Sequence, residues 1–596
     1  MDLLSALQNH PEIVQEESLE LKETHISRVL VGQKRVFKFK KAVQLDFVDQ
    51  SSLEKRVQLC LLEYMLNSRL SPEVYLDIQL LHSRTKEGNP EFVSWDELSE
   101  DSLEQIRKKH IEANTSWQVH SEKPDSFASN QPYNFLQESR ASHIISRCRD
   151  RFGEPLDVCV VMQHLPDSHR LQERPGLTSI DMQNLAFHLA RFHRSLPEQF
   201  PSAGFSSRLD NVMNTLQSLQ KLRFKESLDR RIKSETNRLK KRRYHEVDGH
   251  GDLRPDHIYI QGEEVSIIDC VEFSPEIRQV DPFEDIAFTT MGLRLDGRSD
   301  LARQLALNYL SLLPDVNGFV LLDLYEIYRA CVRLMVDRLQ LKSAQSDAEN
   351  PHSQVRRLRA RCQQYESLIE DLLTGQQTNH IAASSWPEST IIVLMGLPAT
   401  GKSLIGRLIR NDGIPVLSSD LIRKSRSEDF NERNPRPFGQ GDYSSHRKKR
   451  NYQKLVAVCG KLQEKESVIC LDASFSKRQY REILLKHCKD SNFQGQILFL
   501  ETTCDEQTIR NRLDKRKRNR GASDLTDFST WKKIESGFEP LLLKRADTDR
   551  SSEDSGYSNV RCYHIMLDTS GEKRTESIVS EIREGIPEFF QSTSSQ

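Results

Sequence analysis

The chain has 596 residues, several times the length of one domain, so two or three separately packed cores are expected. Hydrophobic residues make up 37% and charged residues 29%, with a net charge of −2, a balance that argues neither for nor against a nucleic-acid partner. The 11 cysteines form no CxxC pairs or zinc-spaced clusters, and the N-terminus has no basic region leading into an apolar core. Reduced core cysteines and a cytoplasmic chain without signal peptide or membrane span are therefore expected.

Val36 to Lys40 alternates Phe37 and Phe39 with lysines, the period of a half-buried strand. Leu59, Leu62, Glu63, Leu66 and Leu70 then fall at helix spacing, and Pro72 closes the helix. From Arg84 to Ser146 the composition turns polar and aperiodic, which predicts a partly loop-like insertion. Asp157 to Met162 predicts a buried strand, Ile180 to Leu196 a helix, and Arg223 to Arg243 a very basic, solvated helix.

His250-Gly251-Asp252-Leu253-Arg254-Pro255-Asp256-His257 is followed by a short hairpin and by Asp269. Phosphoryl transfer from a nucleotide calls for one Asp at the acceptor hydroxyl and another at the metal, both in strand-flanking loops. The segment HGDLRPDHIYI with IIDCVEFSPEIRQVDPFEDIAF resembles the catalytic region of aminoglycoside phosphotransferase-like proteins, a branch of the protein-kinase-like fold. That resemblance implies a bilobal domain in which Asp252 is the catalytic Asp, Lys38 the phosphate-binding lysine and Glu63 its helix partner. It implies Asp269 on the metal and puts Val158 to Met162 at the nucleotide-contacting hinge. Where the family has a metal-binding Asn, this chain has His257, a poor ligand for a hard ion such as Mg²⁺. Lys40 shares a strand face with Lys38 and competes for its role.

Helical sequence runs to about Asp371, and Thr374 to Glu388, rich in Gln, Ser and Thr, reads as a linker. Ile391 to Met395 is a continuous apolar strand leading into Gly396-Leu-Pro-Ala-Thr-Gly401-Lys402-Ser403 and then a helix, the full phosphate-binding loop pattern. Backbone N–H groups freed by Gly396 and Gly401 can cradle phosphates, Lys402 reaches the outer phosphates, and Ser403 ligates Mg²⁺. Val416 to Asp420 ends a second strand, with Arg423 one helical turn on. Asp420 either takes the proton of a substrate hydroxyl, with Arg423 on an anionic group of that substrate, or caps a helix. Val468 to Leu471 ends in Asp472, placed to hold Mg²⁺ through water. Beyond a strand from Ile497 to Leu500, the arginines at 510, 512, 516 and 520 recur at helical spacing, as a lid over ATP or a solvated basic face.

The series GLPATGKS, SSDLIRK, ICLDASF, RNRLDKR and GFEPL resembles the AAA_33-type P-loop kinase family, which is similar to gluconate kinases and to the kinase domain of polynucleotide kinases. The resemblance covers Thr390 to Leu542. It implies ATP-dependent phosphorylation of a hydroxyl, with Asp420 as base and Arg512 and Arg516 as lid arginines.

The expected architecture is thus an α/β and α+β multidomain chain. It comprises an extension at 1–25, a bilobal kinase-like domain at 26–340 interrupted at about 84–146, a helical segment and linker at 341–388, and a three-layer P-loop domain with a parallel sheet at 389–596. The expected activity is transfer of the ATP γ-phosphate, with Mg²⁺, to a small polar acceptor such as a sugar or aminoglycoside-like compound. The alternatives are a nucleic-acid end kinase, not favoured, and an ATP-gated binding protein. Residues from about Ala546 to Asn559 read as a loop before a last strand and helix.

Overall fold

The computed structural model describes residues 19–45, 48–84, 90–116, 138–196, 204–242, 245–346, 352–375, 386–387, 389–420, 445–518, 527–541, 560–570, 580–582, 584 and 586. Arg423, the core of the linker and the segment 546–559 lie outside them, as does the side chain of Arg516. The chain divides into two compact units, one of Met1–Gly297 with Leu324–Ile369, the other of Arg298–Asp323 with Glu370–Gln596.

The first unit is built on a six-stranded sheet in the order Glu20–Glu23, Ser27–Val31, Arg35–Lys40, Glu154–Gln163, Tyr75–Ser83, Glu91–Ser94, every pair antiparallel. The alternation at 36–40 splits its faces. Phe37 and Phe39 join Leu30, Leu81, Cys159 and Val161 on one side, while Lys38 and Lys40 point to the side covered by the helix Leu53–Asn67. That helix ends at Asn67, before Pro72, and buries Val57, Cys60, Leu61, Tyr64 and Met65; Leu59 and Leu62 of the anticipated stripe are only half-buried.

The polar stretch from 84 to 146 contains the edge strand Glu91–Ser94 and the helices Leu103–Ser116 and Glu138–Arg151. They are regular because sparse apolar residues, among them Val93, Trp95, Ile106, Ile144 and Cys148, reach the same core as the helix Leu53–Asn67. The rest of the unit is mainly helical, with a hairpin of Ile258–Gln261 and Glu264–Ile267. The basic helix Lys225–Arg242 buries Leu228 and Leu239 and leaves most of its charge in solvent.

The second unit holds a parallel sheet in the order Val416–Ser418, Val468–Asp472, Thr390–Met395, Gln496–Thr503, Arg561–Asp568. All six residues of its central strand are buried, as a strand covered on both faces requires. Two helices from the middle of the chain, Ser299–Leu312 and Val316–Val320, belong to this unit. Arg303 on the first donates to both carboxylate oxygens of Glu466, at 2.7 and 2.5 Å, and to the Gly413 carbonyl. Lys465 pairs with Asp323 at 3.0 Å. All 11 cysteines are unpaired and nine are buried. Among the described residues no helix is long and apolar enough to cross a membrane.

Candidate functional site

In the first unit, strand and helix bring two lysines to one buried carboxylate. Glu63 Oε1 lies 2.8 Å from Lys38 Nζ, and its Oε2 lies 2.6 Å from Lys40 Nζ. The lysines differ in their second partner. Lys38 reaches Asp269 Oδ1 at 2.7 Å, whereas Lys40 donates to Glu272, a residue sequence reasoning had not singled out. Lys40 is 1% exposed at its side chain against 16% for Lys38, so only Lys38 opens toward the Asp269 side. Burial opposes the charge of Lys38, but Asp269, Glu63 and Glu272 raise its ammonium well above the ordinary range. Burial would likewise raise the Asp269 carboxyl; Lys38 foremost, with His257 and Arg254, holds it far below.

Asp252 sits in a loop pinned from beneath. Asp285 Oδ2 accepts from the His250 N–H at 2.7 Å and lies 3.1 Å from His193 Nε2, and Oδ1 accepts from the Gly251 N–H at 3.0 Å. Arg329 donates to the Gly251 carbonyl at 3.1 Å. Burial presses the Asp285 carboxyl upward, yet these donors bring it down to about 2. Asp285 lies in the VDPFEDIAF stretch, where an acidic residue inside an apolar helix was the available signal. The Asp252 carboxyl, which burial would raise, is held below its ordinary value by Arg254 first and then by His257, His250 and Arg333.

His257 stands within 3.7 Å of both Asp252 Oδ2 and Asp269 Oδ2. Its Nδ1 lies 2.9 Å from the Asp252 carbonyl and its Nε2 2.5 Å from an Arg254 nitrogen. Arg254 also donates to Asp252 Oδ2 at 3.1 Å and pairs with Asp256 Oδ2 at 3.1 Å. Asp269 suits a divalent cation; His257, with both ring nitrogens engaged, does not fit as a second ligand residue for a hard ion.

In the second unit, the register aligns Leu394, Asp472 and Ser418 across three neighbouring strands. The phosphate-binding loop, Asp472 and Asp420 therefore leave the sheet together at its carboxyl edge, where open α/β sheets bind ligands. Gly396 (φ 134°) and Gly401 (φ 93°) take backbone angles that favour glycine, and Gly401 caps the helix Lys402–Asn411. Lys402 Nζ donates to the loop's own Gly396 and Leu397 carbonyls at 2.9 and 2.7 Å, and Ser403 is exposed at the helix start. Burial foremost, and then the nearby Asp420 charge, raises the Asp472 carboxyl, with Lys402 opposing.

Arg512 holds the loop rather than reaching over it. It donates to the Ala399 carbonyl at 3.1 Å and to the Thr569 carbonyl at 2.6 Å, while the Thr569 hydroxyl donates to the Thr400 carbonyl. Trp531 donates its indole N–H to the Pro398 carbonyl at 2.8 Å. Arg481 ties Phe475 to Glu539, so the LDASF and GFEPL segments meet in space. Among the described residues five non-glycines have positive φ, and three of them, Asp269 (62°), Ala399 (66°) and Phe475 (41°), lie in the motif segments. Such strain persists where surrounding contacts over-determine it, as at functional sites.

A family model described as an AAA domain, AAA_33, matches residues 391–541. Two proteins described as uncharacterized, Rv2004c of Mycobacterium tuberculosis (strain ATCC 25618 / H37Rv) and Mb2027c of Mycobacterium bovis, are each 25% identical over 425 residues, 70% of this chain and 70% of theirs. Among solved structures, the GDP complex of wild-type aminoglycoside 2'-phosphotransferase-IIIa covers 63% of this chain and 97% of its own at 16% identity and a TM-score of 0.31. A gluconokinase from Sinorhizobium meliloti 1021 covers 34% of this chain and 95% of its own at 17% identity and a TM-score of 0.22.

Proposed function

We propose that this chain, in which an AAA_33 P-loop domain is joined to a kinase-like unit, is a cytoplasmic ATP-dependent phosphotransferase acting on a hydroxyl of a small polar metabolite, sugar or aminoglycoside-like. One observation carries the reading: the register that releases the loop 396–403, Asp472 and Asp420 at one edge of the parallel sheet. Bound phosphates would take over Lys402 from the carbonyls of Gly396 and Leu397, and the loop N–H groups would receive their oxygens. Ser403 and Asp472 would hold Mg²⁺, which when bound neutralises charge on the β- and γ-phosphates. Asp420 would accept the proton of the attacking hydroxyl, with Arg423 on the acceptor. Arg512 keeps the loop in shape through Ala399 and Thr569, and Arg516, later in the helix Glu506–Arg518, would serve the lid role. In the first unit Lys38, held by Glu63, would bind nucleotide phosphate, with Asp269 on the metal and Asp252 taking the acceptor proton.

The test is transfer of labelled phosphate from ATP across a pooled panel of sugars, aminoglycosides and oligonucleotides, with the intact chain, Lys402→Ala and Asp252→Asn. A labelled small molecule that disappears with Lys402→Ala supports the reading. A labelled oligonucleotide, with affinity falling steeply as salt rises, would replace it with the end-kinase alternative. No labelled product from any acceptor, with ATP still bound, would overturn the enzyme assignment in favour of a nucleotide-gated binding protein.

A further inference from the structure

We propose that Arg254 supplies, in the first unit, the positive charge that a second divalent cation supplies in protein kinases, so that this unit works with a single cation on Asp269. The inference rests on reading that unit as a nucleotide-dependent phosphotransferase. In protein kinases two Mg²⁺ ions are held by an Asp after the hairpin and an Asn in the catalytic loop. This chain keeps the Asp, as Asp269, and has His257 at the Asn position.

The hydrogen bonds of His257 settle what it can do. Its Nδ1 lies 2.9 Å from the main-chain carbonyl of Asp252, which can only accept, so Nδ1 carries the proton. In the neutral ring Nε2 then has a lone pair, and that lone pair accepts from Arg254 at 2.5 Å. A cation at Nε2 would have to displace a guanidinium and then sit beside its charge. Arg254 is in turn fixed from two more sides, by Asp252 Oδ2 and Asp256 Oδ2, each at 3.1 Å. It is a quarter exposed, so its outer face remains open to a ligand.

A permanently charged planar fork is thus anchored between the candidate base and the Asp269 side of the site. A guanidinium there can take two phosphate oxygens at once and spread the charge that develops on a transferring phosphoryl group. In the step itself the bond from the γ-phosphorus to the β,γ-bridging oxygen breaks and a bond to the acceptor oxygen forms. The acceptor proton passes to Asp252 and ADP leaves. His257 is a positioning residue that aims Arg254, and Arg254 contacts the phosphoryl group.

The test counts Mn²⁺ and AMP-PNP retained together on the full chain by ultrafiltration. Lys402→Ala silences the P-loop site, and a further Lys38→Met identifies the share held by the first unit. One Mn²⁺ per nucleotide is expected, rising to two when Arg254→Ala and His257→Asn are combined, and remaining one with Arg254→Lys. Asp269→Asn should abolish tight Mn²⁺ retention, which shows that the count reports this site. Two Mn²⁺ per nucleotide with Arg254 and His257 in place would overturn the proposal, as would a double variant that stays at one. If the Lys402→Ala chain retains no nucleotide, the phosphotransferase reading of the first unit fails and the proposal falls with it, a result distinct from a wrong metal count.

Discussion

Lys38 and Lys40 stand two residues apart, bond the same carboxylate, and should fail in opposite ways. In Lys40→Met the fully buried Glu63 keeps only Lys38, and Glu272, 8% exposed, loses its Lys40 partner. Removing one partner of a buried ion pair costs about 3–5 kcal/mol, because the remaining charge stays desolvated. At about 2 °C per kcal/mol, the lower end for a unit of this size, the first unit should melt roughly 6–10 °C lower. Lys38→Met also takes a partner from Glu63, but Lys40 still holds that carboxylate and the Asp269 side chain, 36% exposed, keeps access to water, so its cost should be smaller than that of Lys40→Met. Nucleotide binding should respond the other way, since Lys38 is the lysine that opens toward Asp269. Scanning calorimetry of the full chain, with titration of a fluorescent ATP analogue in a Lys402→Ala background, measures both effects. Equal melting shifts for the two variants would refute the division of labour. So would a Lys40→Met chain of unchanged stability that no longer binds nucleotide.

Two further predictions concern the loops. His250 is fully buried, and burial brings its imidazole down from 6.5 to about 4, so it folds neutral. A depressed base contributes stability that is complete above pH 6.5 and lost as pH falls toward 4, here on the order of 3 kcal/mol. Urea denaturation at pH 7.5 and 4.5 should therefore show a steeper loss in the native chain than in His250→Asn; parallel losses would contradict the assignment. In Gly396→Ala the new Cβ would lie 2.7 Å from the Thr502 carbonyl oxygen, at a φ of 134° that favours glycine. The expected cost is about 1–3 kcal/mol of strain and at least a tenfold loss of nucleotide affinity in the P-loop unit, and calorimetric affinities within twofold of each other would rule it out.

The parts legible in the sequence were those encoded by local order. Strand, glycine loop and helix run consecutively from Ile391 to Ile409, and the alternation of Phe37 and Phe39 with lysines fixes which faces they occupy. What sequence reading missed depends on contacts between distant residues. Glu272 meets Lys40 across 232 positions, and Asp285 meets His250 across 35, and neither carries a periodic signal. Arg254 was read as part of a motif string, because only folding brings its guanidinium against Asp252, Asp256 and His257. The regular elements within 84–146 escaped because a few apolar residues suffice to anchor them among many polar ones.

The placement of Ser299–Leu312 and Val316–Val320 with the P-loop sheet changes how the protein can be taken apart. The chain changes unit at 297/298, 323/324 and 369/370, so no single cut separates two complete halves. A fragment beginning at Thr390 would lose the Arg303 partner of Glu466 and the Asp323 partner of Lys465. A fragment ending near 340 would carry Arg303 without the carboxylate it holds. Dissection by truncation would therefore confuse damage to folding with loss of function, and the contributions of the two units are better separated by point substitutions in an intact chain.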